Sequence, residues 1–258
     1  MALPASVIKT LQSHFDKIYV ITLERAKDRQ ERIRERLAGL DFSFFYGVDQ
    51  RTMTEQSIVT DLLYDDQKSR KLDRYGKGMV LGQVACSLSH RSLYQQILDE
   101  GHQRVLIFED DIVPLEENLS LLPETFGEFP PDWEFIYFGY SKNYPVTAQL
   151  KRKHQFYLGL SYLGLIKMTP VMVRNALPKP FSAHLRRAGS HDLTHAFAVT
   201  PAACRKLIEA QTPVVFNADT LIAYVVMQGE LNAFITDPPF FTQEQFVDKD
   251  AKSYIKQN

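Results

Sequence analysis

Short apolar runs alternate with segments of helical period along most of the chain. Lys17-Ile-Tyr-Val-Ile-Thr-Leu23 is β-branched and aromatic and reads as a strand. After it, Ala26, Ile33, Leu37 and Leu40 recur at helical spacing, with Gly39 as a stop signal. A second strand is predicted over Asp41–Val48, a helix over Gly82–Leu98, and a buried strand at Val105-Leu-Ile-Phe108. Trp133–Gly139, His195–Val199 and Ala233–Thr236 read as further strands, and Gly139 is expected to let a ligand approach the backbone closely. Thr200-Pro201 supplies an N-cap and a proline at the first position of a helix through Ala210. Asn217 or Asp219 caps another helix, which closes at Gly229. Strands alternating with helices predict an α/β class: a mostly parallel central sheet, flanking helices, and ligands at the carboxyl edge of the strands. One domain is expected over residues 1–245, with a dispensable tail at 246–258.

Two stretches interrupt this rhythm. Lys68–Gly78 is polar, basic and poorly periodic, which predicts a surface loop, with a substrate lid as the alternative. Phe156–Ile166 is apolar but shorter than the roughly 20 residues of a bilayer span. Burial in the core is the preferred reading there, over attachment to an anionic membrane surface through Lys151, Arg152 and Lys153.

Composition narrows the partners. Hydrophobic residues make up 45% and charged residues 24% of the 258, as in a soluble globular protein with a substantial core. A net charge of -1 gives no broad electrostatic reason to expect nucleic acid. Cys86 and Cys204 lie within apolar helical patterns, without the spacing of a metal site or a disulfide framework. With no secretory-type amino-terminal pattern, these features predict a cytoplasmic protein, with peripheral membrane association as a further expectation.

The chemistry centres on Glu109-Asp-Asp111, which follows the apolar run Val105–Phe108 and precedes Ile112, Val113 and Pro114. Strand alternation would put Glu109 and Asp111 on one face and turn Asp110 away. Two hard oxygen ligands aimed at one point suit Mg²⁺ or Mn²⁺ together with the phosphate oxygens of a substrate. Arg25, Arg29, Arg32 and Arg36 form a cationic row interleaved with acids, so most of it should be a solvated, salt-linked face. Arg25 and Arg29 are the exceptions, because residues just after a strand reach the carboxyl edge of an open sheet. His90 and Ser89 lie on the helix that precedes the acidic strand. A histidine there is more often a hydrogen-bonded core residue than a catalytic one.

Four segments taken together resemble glycosyltransferase family 25: Ile18-Tyr-Val-Ile-Thr-Leu with Arg25 and Arg29, Gly82-Gln-Val-Ala-Cys-Ser-Leu-Ser-His90, Phe108-Glu-Asp-Asp-Ile112, and His195-Ala-Phe-Ala-Val-Thr. The match runs through most of the chain, with two departures: Thr22 where asparagine is usual and Gln83 where glutamate is usual. The resemblance implies a GT-A-like nucleotide-sugar-binding fold and a UDP-sugar donor, typically UDP-galactose. It also implies a divalent metal at the acidic motif, a glycan or lipid-linked glycan acceptor in lipooligosaccharide or capsule synthesis, and inversion at the anomeric carbon. On this reading Glu109 and Asp111 hold the metal, with His195 able to complete its shell. Arg25, Arg29, Ser89, His90 and Asp110 serve the nucleotide sugar, and Asp219 is the catalytic base with Asp192 next in line. The competing expectations are a transferase-like scaffold that binds without turnover and a metal-dependent phosphohydrolase.

Overall fold

The computed structural model describes residues 3–248, apart from 55, 57, 59–62 and 74. Its strands are β1 (Lys17–Thr22), β2 (Ser43–Tyr46), β3 (Val105–Glu109), β4 (Ile112–Pro114), β5 (Phe135–Ser141), β6 (Lys179–Pro180), β7 (Leu185–Arg187), β8 (Asp192–Val199), β9 (Ala233–Thr236) and β10 (Phe241–Gln243). Eight form one sheet in the order β2-β1-β3-β8-β5-β9-β7-β6, and β4 pairs with β10 beside it. β2, β1, β3, β5, β9 and β6 run in one sense and β8 and β7 against it. The predicted α/β class, with most strands of the central sheet pointing one way and helices on its faces, is therefore present. The sequence pattern does not reveal that β8 begins at Asp192 and lies antiparallel between β3 and β5. This reversal matters for the site, because it brings the first residues of β8, not its last, to the edge where β3 ends.

Alternation along the strands divides the core into two layers. Ile18, Val20, Leu106, Phe108, Ile136, Phe138, Ala196 and Ala198 face one layer, which helices Ala5–His14 and Lys27–Arg36 cover with Val7, Leu11 and Ile33. Tyr19, Val105, Ile107, Phe135, Tyr137 and Phe197 face the other, with Leu93, Tyr94 and Ile97 of helix Leu81–Glu100 and the apolar sides of helices Pro201–Ala210 and Ala218–Gln228. Thr200 caps the first of these last two through the Ala203 amide, as its Thr-Pro start predicts.

Two expectations from the irregular stretches are corrected. Asp66–Leu72 is a helix, capped by the Asp65 carboxylate on the Lys68 amide at 2.8 Å, and Asp73 then accepts from the amides of Tyr75 and Lys77. Local capping by short acidic side chains, not apolar periodicity, orders most of the segment read as a loop. Arg74 lies outside the described residues, as does the tail from residue 249 onward. Phe156–Ile166 does not enter the core. It belongs largely to helix Ala148–Tyr162, which buries only Ser161 and leaves Phe156, Tyr162, Leu163 and Leu165 exposed. Among the described residues no helix is long and apolar enough to cross a membrane.

Gly139 also has a different use from the one expected. A Cβ there would collide with the His195 imidazole and would lie 2.7 Å from the Phe241 carbonyl oxygen. The missing side chain therefore admits a neighbouring strand's histidine, not a ligand. Gly139→Ala should destabilise the protein by about 1–3 kcal/mol through overpacking, seen as a lower urea midpoint with an unchanged slope. An unchanged midpoint would show that the sheet absorbs the added methyl group.

Candidate functional site

The acidic triplet is not one continuous strand. β3 ends at Glu109, the chain turns through Asp110 and Asp111, and β4 departs to pair with β10, Ile112 facing Gln243. Glu109 and Asp111 do converge and Asp110 does point away, but the turn produces the separation that strand alternation was expected to give. Asp110 is 8% exposed. Thr22 Oγ1 donates to its Oδ2 at 2.6 Å, and Arg29 pairs with its Oδ1 at 2.5 Å. Burial raises its carboxyl pKa above the ordinary value, and Arg29 and Thr22 only partly offset this.

The other two acids share one donor. Gln243 Nε2 donates to Glu109 Oε2 at 3.1 Å and to Asp111 Oδ1 at 3.4 Å, and Gln245 Nε2 orients that amide by donating to Gln243 Oε1 at 2.6 Å. Thr194 Oγ1, near the start of the reversed β8, donates to Glu109 Oε1 at 3.1 Å. Burial opposes ionisation of Glu109, yet His90, His195 and Thr194 hold it below the usual carboxylate range. Asp111 behaves oppositely: burial, then repulsion from Glu109, pushes it up to about 7.

These groups open on a cavity of about 440 Å³, within the usual size for a small-molecule site. Its lining includes Arg25, Arg29, Ser89, His90, Glu109, Asp110, Asp111 and Asp219, eight residues singled out from sequence. Two others are placed elsewhere. Asp192 is half exposed and paired with Lys142 at 2.8 Å, and His195 is 1% exposed with Nε2 donating to the Phe241 carbonyl at 3.1 Å. Neither contributes to the cavity lining among the described residues. Burial lowers the His195 pKa, and the nearby Glu109 carboxylate opposes this only in part. His195 packs closely against Gly139, and Asp192 is engaged by Lys142 at the surface.

Inside the cavity, several side chains already have work within the protein. Arg25 pairs with Asp49 at 2.5 Å. Arg29 lies 3.9 Å from Asp111 as well as against Asp110, and Arg32 and Arg36 both pair with Glu244, at 3.0 and 2.7 Å. Arg29 is thus buried against the acidic turn, whereas Arg32 and Arg36 stay partly exposed, tying the helix to the segment after β10 with Arg32 also paired to Asp28, in keeping with the salt-linked face the sequence suggests. Ser89 Oγ accepts from the Val48 amide at 2.8 Å and donates to the Ala85 carbonyl at 2.7 Å. His90 stacks on Phe197, and its buried Nε2, 3.7 Å from Glu109 Oε1, makes no hydrogen bond. Asp219 Oδ2 accepts from the Leu193 amide at 3.2 Å and Oδ1 from the Thr220 amide at 2.7 Å, so it holds Leu193 at a φ of +70°. Asn217 precedes the helix without capping it through its side chain.

The two departures noted above have local roles: Thr22 supports Asp110, and Gln83 Oε1 accepts from the Val80 amide at 3.0 Å at the start of helix Leu81–Glu100. Thr194, Gln243 and Glu244 are site residues that the sequence does not announce. The only available signal was that Thr194 adjoins a segment carrying the resemblance. Among the described residues no three His, Cys, Asp or Glu side chains form a metal cage. Glu109 and Asp111 alone, bridged by one amide nitrogen, fit a hard cation that takes its remaining ligands from phosphate oxygens and water.

Comparison with known proteins agrees with the sequence resemblance. The family model described as Glycosyltransferase family 25 (LPS biosynthesis protein) matches residues 15–222. The human protein named inactive glycosyltransferase 25 family member 3 is 35% identical over 136 residues, covering 48% of this chain and 22% of that protein. Human procollagen galactosyltransferase 2 is 28% identical over 136 residues, covering 48% and 21%. The chain thus spans about a fifth of the length of these relatives. A solved structure of mouse xyloside xylosyltransferase 1 in its apo form aligns with a TM-score of 0.38 at 13% identity, over 88% of this chain and 77% of that one. With the family model spanning most of its length, the chain belongs to glycosyltransferase family 25.

Proposed function

We propose that this protein is a metal-dependent, GT-A-like glycosyltransferase. It would move a hexose, galactose in the first instance, from a UDP-sugar to a hydroxyl of a glycan or lipid-linked glycan, with inversion. The observation that carries the reading is the convergence of Glu109 and Asp111 on one point in a cavity that also holds Asp219. Lipooligosaccharide or capsule synthesis in the cytoplasm is the setting this chemistry suits.

The acceptor oxygen attacks the anomeric carbon, the bond from that carbon to the UDP oxygen breaks, and UDP leaves with the electron pair. The acceptor's proton passes to the Asp219 carboxylate. A divalent cation bound by Glu109 and Asp111 would supply Lewis-acid neutralisation of the departing diphosphate. Arg29, Thr22 and Gln243 keep the acids in place for this. Arg25 lies on the cavity lining, where a guanidinium can meet phosphate or base.

A second reading, binding without turnover, draws support from the relatives whose names call them inactive. UDP-sugar calorimetry followed by mass analysis of products separates the two. Binding without transfer or donor hydrolysis favours the scaffold, and release of phosphate or of a nucleoside monophosphate would favour a phosphohydrolase.

Three outcomes test the residue roles. Asp111→Asn should abolish Mn²⁺-dependent UDP binding with the fold intact, and undiminished affinity would remove the central assignment. The same variant reports on the cost of the site. Because the folded-state pKa of Asp111, about 7, exceeds the unfolded value, the stabilisation tied to its proton is complete below about pH 4 and is lost as pH climbs through 7. In chelator, Asp111→Asn should therefore match wild type in urea at pH 4 and exceed it at pH 8. Asp219→Asn keeps an oxygen for the Leu193 amide but cannot accept the acceptor's proton. It should lower turnover by roughly 10²–10⁴-fold with donor affinity retained, and wild-type turnover at saturation would assign Asp219 to holding Leu193 alone.

A further inference from the structure

Charge is distributed unevenly along this nearly neutral chain. Residues 135–191 contain nine Lys and Arg and no Asp or Glu, whereas the remainder carries 21 Lys and Arg against 31 Asp and Glu. The same segment holds the exposed apolar residues left by helix Ala148–Tyr162: Phe156 is 66%, Leu163 72% and Leu165 66% exposed. Arg152, Phe156, Gly159 and Leu163 follow one another at four, three and four residues, so they share a single helix face, and all four are exposed. Lys151 and Lys153 flank its basic end. At the other end the helix gives way to Gly164, at a φ of +67°, and the next residue, Leu165, is exposed as well.

The geometry points to this face as a docking surface for an anionic lipid bilayer. A basic start and an aromatic-aliphatic finish on one exposed face are what an interfacial helix needs: cations at the headgroups, and side chains that enter the acyl boundary. A polyanion alone would not account for the bare Phe156, Leu163 and Leu165. A wholly apolar partner would not account for a segment of 57 residues without an acid. Attachment here would also lie close to the cavity along the chain. Lys167 Nζ donates to the Lys71 and Asp73 carbonyls at 2.9 and 2.5 Å, and that segment continues into Gly82 and Gln83 of the cavity lining. The inference does not rest on the donor or metal assignment.

Co-sedimentation of the full chain with vesicles of phosphatidylcholine, alone or mixed with phosphatidylglycerol, tests it. Binding is expected to the mixed vesicles only and should weaken with salt. The combined variant Lys151→Gln, Arg152→Gln, Lys153→Gln should reduce partitioning about 100-fold. Phe156→Ser, Leu163→Ser, Leu165→Ser together should produce a comparable loss at physiological salt. Far-ultraviolet circular dichroism and thermal melts matching wild type would show that both variants are folded, whatever the protein's nucleotide affinity. Failure of the wild type to bind mixed vesicles overturns the proposal, as does retention of binding by either folded variant. Binding to soluble heparin that needs only the basic residues would assign the face to a polyanion instead. A dimer in sedimentation velocity that the serine variant dissolves would assign it to a second copy of the chain.

Discussion

The buried ion pair between Arg29 and Asp110 is the contact on which the site depends. It joins the first helix after β1 to the turn that ends β3, and Thr22 adds a second bond to the same carboxylate. A buried pair of this kind adds little net stability, but losing one partner would leave an uncompensated charge in the sheet edge. Its value is directional. With both oxygens of Asp110 engaged on one side, the turn can only present Glu109 and Asp111 on the other.

Much of the architecture was readable because it depends on local pattern. The apolar strands β1, β3, β5 and β9 and the Thr200-Pro201 helix start each follow from alternation, branching or capping within a few residues. The direction of β8 was not readable, since an antiparallel strand between β3 and β5 has the same composition as a parallel one. That reversal decides which of Thr194 and His195 meets the acids. Helix Ala148–Tyr162 misled for the opposite reason: apolar content says that a segment prefers burial, not that the fold has surface left to bury it.

The candidate site was legible where residues cluster in sequence, as Glu109, Asp110 and Asp111 do, and where a helix starts just beyond a strand, as with Arg25 and Arg29. It was illegible where the partner is a neutral amide far along the chain. Gln243 lies in a three-residue strand, and nothing in its own neighbourhood distinguishes it from a surface glutamine. The shifted titration of Asp111 was likewise hidden, because it arises from burial and from the distance to Glu109 after folding.

The pairing of β4 with β10 carries a consequence for the order in which the site can come into being. Thr22 and Arg29 leave the ribosome before the acidic turn, so Asp110 can be neutralised as soon as β3 pairs with β1. Gln243 follows Asp111 by 132 residues, a delay of roughly 7 to 26 s at ordinary elongation rates. Throughout that interval Glu109 and Asp111 lack their bridging amide, and Arg32 and Arg36 lack Glu244. On a growing chain, the half of the site that orients the acids is complete well before the half that holds them together.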